Sequence, residues 1–390
     1  MVGTAVQEKK GNGKAAPAMP RSFICGSRNN DKADYDTGNV VLTTAEQRLA
    51  QYNVAPSGYL RGIYLVVENV AVNTTVTTVA YQEDAPFNVL SVIRFLDTNS
   101  RPFIGTLTGY DVYLLNKYGG YIFQGDAEMS ATYTATSGTS TTAGSFSFVL
   151  YLPLEIVARN GLGSQLNKSG AAQFNVELYA AGTGTVFSTA PLTSSTLRVR
   201  SELASWLDPE KTDARGNPTL QTPPFLNTTQ RWEKQAGIPI SSGERTLRLQ
   251  GIDGLVRMLI FVLRRDASTR ANGEADWPDP ISLKYEESFL IQSRIRYFYR
   301  WLIGVTYGYS AANEAAGGRD AGVYPVWEFM NDFTLKPGNE LTRKYLPMSS
   351  ASNLELNGVW GQSANATKLD VLVNKVVPFP QGEIKGLAQL

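Results

Sequence analysis

The feature of this sequence that most restricts its fold is a side-chain alternation of period two, repeated in short runs along much of the chain. Between residues 144 and 153, Phe146, Phe148, Leu150 and Leu152 fall on one face of an extended backbone, and Ser145 and Ser147 begin the other. Successive side chains of a strand point to opposite faces, so such a run has one apolar side and one wetter side. Phe174, Val176 and Leu178 alternate in the same way with Gln173, Asn175 and Glu177, and Leu197 and Val199 with Arg198 and Arg200. Ile63, Leu65 and Val67 lie opposite Tyr64 and Val66, a run apolar enough to be covered on both faces. Val76 to Tyr81 and Val89 to Leu96 read similarly. Gly, Pro, Asn and Ser punctuate these runs, and regular intervening helices are missing. The pattern predicts antiparallel sandwiches, because a parallel α/β sheet needs a helix between successive strands.

Strand patterning stops between Trp206 and Gly243, where five prolines and scattered charges disfavour both ladders and long helices. It resumes with Leu247 and Leu249 beside Arg248, then at Leu255 to Leu263, Leu283 to Ile291, Val323 to Phe329, Leu354 to Leu356 and Leu369 to Val373. Two helices are expected. In TTAEQRLAQ, Thr43 and Glu46 have the spacing of a capping box. Ile291, Ile295, Phe298, Leu302 and Val305 recur at helical spacing, with Arg294, Arg296 and Arg300 elsewhere on the surface. A chain of 390 residues suits two cores, since domains usually hold roughly 100–200 residues. The expected organisation is a basic arm over 1–40, a first sandwich with its short helix over 41–207, a linker over 208–241, a second sandwich over 242–380 and a tail over 381–390. Both halves offer the same ingredients in the same order.

Composition removes most catalytic chemistry. No histidine is present and Cys25 is the sole cysteine. Histidine-based triads, His-ligated zinc and thiolate clusters are therefore excluded. No phosphate-binding glycine loop or hydrolase elbow occurs, so no catalytic residue, cofactor or metal is assigned and the chain is not expected to be an enzyme. The adjacent acids Glu286 and Glu287, or Glu83 and Asp84, are the remaining route to glycoside hydrolysis. Neighbours on a strand face opposite ways, which makes each pair a poor single site. Lys plus Arg (36) nearly balances Asp plus Glu (35), so no specific nucleic-acid partner is expected. A single cysteine leaves the fold to packing alone and suits a reducing cytoplasm. The charge-free stretches 129–154 and 178–197 carry too much Ser, Thr and Gly to cross a bilayer.

Local features stand out instead. Lys9, Lys10, Lys14, Arg21 and Arg28 face one acid, Glu8, and read as a mobile basic arm. Tyr297, Trp301, Trp327 and Trp360 belong to an aromatic surplus that could serve subunit contacts, with plain core packing as the alternative.

The tracts GYLRGIYLVVENVAVNTT, VIRFLDTNSRPFIGTLTGYDVYLLNKYGG and SFSFVLYLPLEIVARNGLGSQLN, the last leading into AAQFNVELYAA, resemble the double jelly-roll major coat proteins of tailless icosahedral phages with an internal membrane, the tectivirus group. The resemblance covers about Gly58 to Pro209 and rests afterwards on element order. It implies an all-β chain of two tandem eight-stranded antiparallel jelly rolls, with short helical insertions and an extended N-terminal arm. It further implies a structural capsid protein of the virion, assembled in the host cytoplasm as pseudo-hexameric homotrimers that tile a shell around an internal membrane. Partners would be other copies of itself within a trimer and between trimers, penton and minor membrane-associated proteins, and membrane lipid at the basic arm. A two-domain β-sandwich binding module, such as a viral spike or carbohydrate-binding protein, is the alternative. An exposed aromatic platform on a stable monomer would mark it.

Overall fold

A computed structural model describes residues 27–74, 77–122, 125–156, 161–207, 228–265, 270–271, 276–308, 322–327, 338, 345–349, 351–360 and 368–378. Its main elements in the first half are β1 (Asn29–Asp36), β2 (Gly58–Val72), β3 (Leu90–Leu96), β4 (Pro102–Leu107), α1 (Gly109–Gly119), β5 (Phe146–Pro153), β6 (Asn175–Ala180) and β7 (Ser194–Trp206). The second half follows with β8 (Thr228–Pro239), β9 (Gly243–Arg248), β10 (Gly254–Arg264), β11 (Ile281–Tyr285), β12 (Ser288–Arg294), α2 (Arg296–Tyr307), β13 (Val323–Val326), β14 (Leu354–Trp360) and β15 (Lys368–Pro378).

Strand order reveals a duplication. In the first half a sheet runs β1–β7–β2–β5, and a facing set runs β4–β3–β6 with Gln47–Arg48 beside β6. In the second half the sheet β8–β15–β10–β13 has the same antiparallel pairings, and β12–β11–β14–β9 reproduces the facing set. Among the described residues, each half thus shows the same eight sandwich strands in one order besides shorter ones, with a helix inserted at the same point, directly after the β3–β4 or β11–β12 hairpin. This is the double jelly-roll architecture, and the alternating runs at Ile63 to Val67, Phe146 to Leu152, Val176 to Leu178 and Leu197 to Val199 are among its strands, whereas of Val76 to Tyr81 only Ala80–Tyr81 is one and Val76 lies outside the described residues. On β2, Ile63, Leu65 and Val67 are buried and alternate with the half-buried Tyr64, Val66 and Glu68. On β5, Phe146, Phe148, Leu150 and Leu152 fill the same core.

The two halves share one sheet. β8 lies beside β4 in parallel, with Trp232 opposite Ile104, so a ten-stranded sheet crosses from the second jelly roll into the first. α1 is wedged at this joint, with every one of its residues buried. Its start is a capping box: the Thr108 hydroxyl accepts from the Asp111 amide at 3.1 Å, and the Asp111 carboxylate accepts from the Thr108 amide at 2.9 Å. It ends at Gly120, whose φ of 73° is the left-handed conformation glycine adopts without strain.

Several expectations are corrected. TTAEQRLAQ is not helical: Gln47 and Arg48 pair with Ala180 and Tyr179 of β6, and the Thr43 hydroxyl donates to the Ala45 carbonyl. A helix that short is marginal alone, and an available strand edge outcompetes it. The expected linker 208–241 contains a strand: β8 begins beyond Pro224 and meets a proline only at its last residue, Pro239, with Thr228, Gln230 and Trp232 buried in alternation. The expected arm 1–40 likewise ends in structure, since β1 pairs with β7 and Val40–Val41 follows it onto the same strand. β1 reads as polar because it is an exposed edge strand held by backbone bonds. Ile291 belongs to β12, opposite Leu283, so α2 starts five residues later than the apolar spacing suggests. Among the described residues, no helix is long and apolar enough to cross a membrane.

Gly109 sets how close α1 can come to the sandwich. A Cβ there would lie 2.0 Å from the Phe87 carbonyl oxygen, a backbone atom that cannot step aside. Gly109→Ala is expected to destabilise the fold by about 1–3 kcal/mol in denaturant unfolding, the usual cost of forcing extra volume into a packed core.

Candidate subunit interface

The joint between the halves shows how this chain builds a jelly-roll contact. Asp111 of α1 accepts from Lys234 of β8 at 3.0 Å, and Lys234 also meets Asp370 of β15 at 3.2 Å. Arg264 of β10 contacts Asp370 at 3.2 Å and is hydrogen-bonded to Asp84, and Arg270 holds the other Asp84 oxygen at 3.1 Å. Asp84 and Asp111 belong to the first half and the four others to the second, so the network staples one jelly roll to the other. Beside it, Arg257 donates to the Gly119 carbonyl at 2.8 Å, and Tyr121 receives the Trp232 indole N–H at 2.9 Å. The Tyr307 hydroxyl donates to the Tyr118 carbonyl at 3.0 Å.

These ions are nearly dry. Arg270, Asp111 and Arg264 expose 2%, 0% and 5% of their side chains. Burial alone would raise the Asp84 carboxyl pKa, but Arg264 and Arg270 offset that and hold it below the ordinary carboxylate range. Burial would lower the Lys234 ammonium pKa, but Asp111 and Asp370 raise it above its usual value. Both groups stay charged at neutral pH.

α2 occupies the place of α1 in the second half but keeps one side exposed. Tyr299, Ile303 and Thr306 are buried, and Tyr299 stacks on Tyr324 of β13 at 3.6 Å. The opposite side of the helix carries Tyr297 (82% exposed), Phe298 (45%), Trp301 (55%) and Val305 (51%), with Phe298 and Trp301 stacked 5.6 Å apart. Rings spaced three and four residues apart share one helical face. A contiguous apolar patch of this kind marks an interaction surface.

The candidate interface residues therefore separate into two classes. Tyr297 and Trp301 lie together on the exposed face of α2. Trp327 and Trp360 are core residues at 2% and 1% exposure, and that corrects their reading as subunit contacts. Trp327 packs edge-on to Tyr307 at 5.1 Å and Trp360 against Trp277 at 5.9 Å. Lys9, Lys10, Lys14 and Arg21 lie outside the described residues. Arg28 is exposed immediately before β1, and its carbonyl accepts from the Leu207 amide at 2.8 Å.

The acid pairs have structural partners. Asp84 is part of the joint, and Glu83 lies 3.9 Å from Arg265. Glu286 and Glu287 form the tight turn between β11 and β12, and the Glu286 carboxylate accepts from the Asn353 amide at 3.1 Å. Among the described residues no group of three or more acids or cysteines is placed to hold a metal ion. A second surface feature lies on the outer face of the β7–β2–β5 sheet, a groove of about 540 Å³ lined by Glu68, Val70, Val72, Ser147, Thr196 and Arg198, among others. Val70 is 63% exposed there, and Val41 at the adjoining edge 60%.

The sign of the Asp84 shift gives a pH prediction. A carboxyl whose folded pKa is depressed contributes stability that is complete above its unfolded pKa, about 3.9, and is lost as pH falls through the lower folded value. Asp84→Asn is expected to cost about 3–5 kcal/mol at neutral pH, because it leaves Arg264 and Arg270 facing a neutral group. It should also flatten the loss of stability below about pH 4, measured as denaturation midpoint against pH.

No protein-family model matches the sequence, and no curated protein matches it. Solved structures do. The chain is similar to the crystal structure of the STIV major capsid protein, with a TM-score of 0.58 at 9% identity over 93% of this chain and 100% of that one. It is similar also to a chain in the atomic structure of Sulfolobus Turreted Icosahedral Virus, with a TM-score of 0.54 at 11% identity over 93% and 96% of the two chains. Near-complete coverage of both, together with the duplicated strand order, gives this chain the double jelly-roll fold found in viral major capsid proteins.

Proposed function

We propose that this protein is a structural subunit of a viral capsid, a homotrimer whose six jelly rolls form a pseudo-hexameric tile of an icosahedral shell around an internal membrane. The observation that carries the reading is the internal duplication. Two equivalent sandwiches fused side by side let three chains present six similar units, so one gene product can fill sixfold lattice positions. The fold suits the task because each sandwich closes its own core and leaves the loops free to vary. The exposed face of α2 supplies an apolar surface suited to an obligate contact, which typically buries 2,000 Å² or more. Contacts between tiles can each be weak, because many act at once. The virion would be its site of residence and the host cytoplasm its site of assembly.

One observation favours a second reading. Tyr297, Phe298 and Trp301 form an exposed aromatic platform, as a carbohydrate-binding or spike module would need. The two readings separate on native mass. A capsid tile should run at about three times the 42.6 kDa subunit and close into particles at higher concentration. A chain that stays at one subunit mass at all concentrations, with Trp301 fluorescence answering to added oligosaccharide, would support the binding module and reject the tile.

The basic arm is proposed to face the inner membrane. Each cation near an anionic bilayer contributes about 1 kcal/mol, so Lys9, Lys10, Lys14 and Arg21 together would guide docking without anchoring the protein. Removing residues 1–26 should leave the native mass unchanged and weaken co-sedimentation with phosphatidylserine vesicles by roughly 100-fold or more at low salt. Unchanged vesicle binding would reject the role.

A further inference from the structure

The joint between the halves opens at one end of the molecule into a cleft of about 290 Å³, lined among others by Asp97, Arg101 and Phe103 of the β3–β4 hairpin, by Leu166, and by Thr229 and Arg231 of β8. This is the end where β1 and β8 begin and β7 and β15 finish, since Asn29 pairs with Trp206, Thr228 with Pro378, and Gln165 donates to the Thr228 carbonyl. The parallel pairing of β4 with β8 sets the geometry of the cleft. Trp232 lies opposite Ile104, so counting back along both strands puts Arg231 opposite Phe103 and Thr229 opposite Arg101. Residues in register on neighbouring strands point to the same face, as do alternate residues of one strand. Arg101, Phe103, Thr229 and Arg231 therefore share one face, with the two arginine Cα atoms about 8 Å apart by strand rise and spacing.

Arg231 is half-buried, and among the described residues its guanidinium makes no hydrogen bond or ion pair. Its cross-strand neighbour Lys375 takes Glu233 at 2.8 Å and Asp253 at 2.6 Å. The hydrogen bond from Lys375 is the main cause that holds the Asp253 carboxyl below its ordinary range, and Arg231 adds only a lesser, longer-range effect. A half-buried guanidinium of this kind suits a ligand anion, and phosphate oxygens match the arginine fork.

The acid in the cleft narrows the ligand. Asp97 Oδ1 accepts the Asn99 and Arg101 amides at 2.7 Å each, which fixes the carboxylate, and no described residue engages Oδ2. A purely anionic ligand would be repelled by Asp97. A ligand that carries an ammonium donor one short alkyl link from its phosphate would satisfy all three charges.

We propose that this cleft binds an ethanolamine phosphodiester. Arg101 and Arg231 hold the phosphate, Asp97 Oδ2 accepts from the primary ammonium, and Phe103 and the half-exposed Leu166 cover the methylenes. Free glycerophosphoethanolamine and the headgroup of phosphatidylethanolamine share this chemistry. The site stands without the capsid reading, and only a membrane as its source rests on that reading.

The test titrates the full chain with glycerophosphoethanolamine and with glycerophosphocholine by calorimetry, and floats it with phosphatidylcholine vesicles with and without phosphatidylethanolamine. Both vesicle types are uncharged, so electrostatic attraction of the basic arm is not what is read. Saturable binding of the soluble ethanolamine diester is expected if the ligand is free, and recruitment to ethanolamine vesicles alone if it is a lipid. In whichever arm binds, Arg101→Gln and Arg231→Gln should each weaken binding by roughly tenfold or more, the effect of losing a charge-assisted hydrogen bond. Asp97→Asn should erase the preference for ethanolamine over choline. Arg101 is exposed, so Arg101→Gln keeps the test decisive if Arg231→Gln fails to fold. Absence of binding in both arms, binding untouched by the arginine variants, or equal binding of the choline and ethanolamine forms would overturn the proposal. A chain that keeps a multi-subunit native mass but does not bind loses this site alone, and a chain of single-subunit mass that binds keeps the site and loses the tile.

Discussion

Everything in this structure depends on a dry, charged joint between two sandwiches. Removing an ion from water costs several kcal/mol, and the cost is recovered only when partners and geometry are right. Here Asp84 sits between two arginines, and Lys234 between two aspartates. Asp84, Asp111, Lys234, Arg264 and Arg270 each take a partner from the opposite half, while Asp370 holds Lys234 and Arg264 in place from within its own. The joint consequently fixes how the halves meet: an apolar seam could slide, whereas this one leaves buried charges unpaired if it shifts. The parallel contact of β8 with β4 and the burial of α1 both follow from that fixed alignment.

Much of the fold was legible in the sequence, because alternation of apolar side chains is a local property. Phe146 to Leu152 and Ile63 to Val67 announce strands without help from distant residues. Features that depend on distant partners were not. β1 is polar and β8 follows a proline-rich stretch, so each looks like an unstructured connection until its partner strand is supplied. Thr43 and Glu46 spell a helix start that the free edge of β6 overrides. α1 escaped notice because Asp111, Asn116 and Lys117 break its apolar pattern, although all three are buried and paired. The capping spacing of Thr108 and Asp111 was its available signal.

The joint was likewise hidden. Arg257 and Arg264 interrupt an apolar strand and Asp370 interrupts another, and a charge inside such a run signals a buried partner. Which acid meets which base cannot be read from one chain without its fold. The aromatic surplus divided for the same reason. Trp327 and Trp360 look no different in sequence from Trp301, but the first two complete a core and the third lies on the outer face of a helix whose twin is covered.

If duplication is the principle of this molecule, its contacts with other copies should repeat its contact with itself. A reconstruction of the purified oligomer at side-chain resolution tests that directly. The account predicts a closed ring of alternating first and second jelly rolls, in which density for Tyr297 and Trp301 is enclosed by the adjacent chain. A ring in which those rings face solvent, or meet the same helix of another copy, would contradict it.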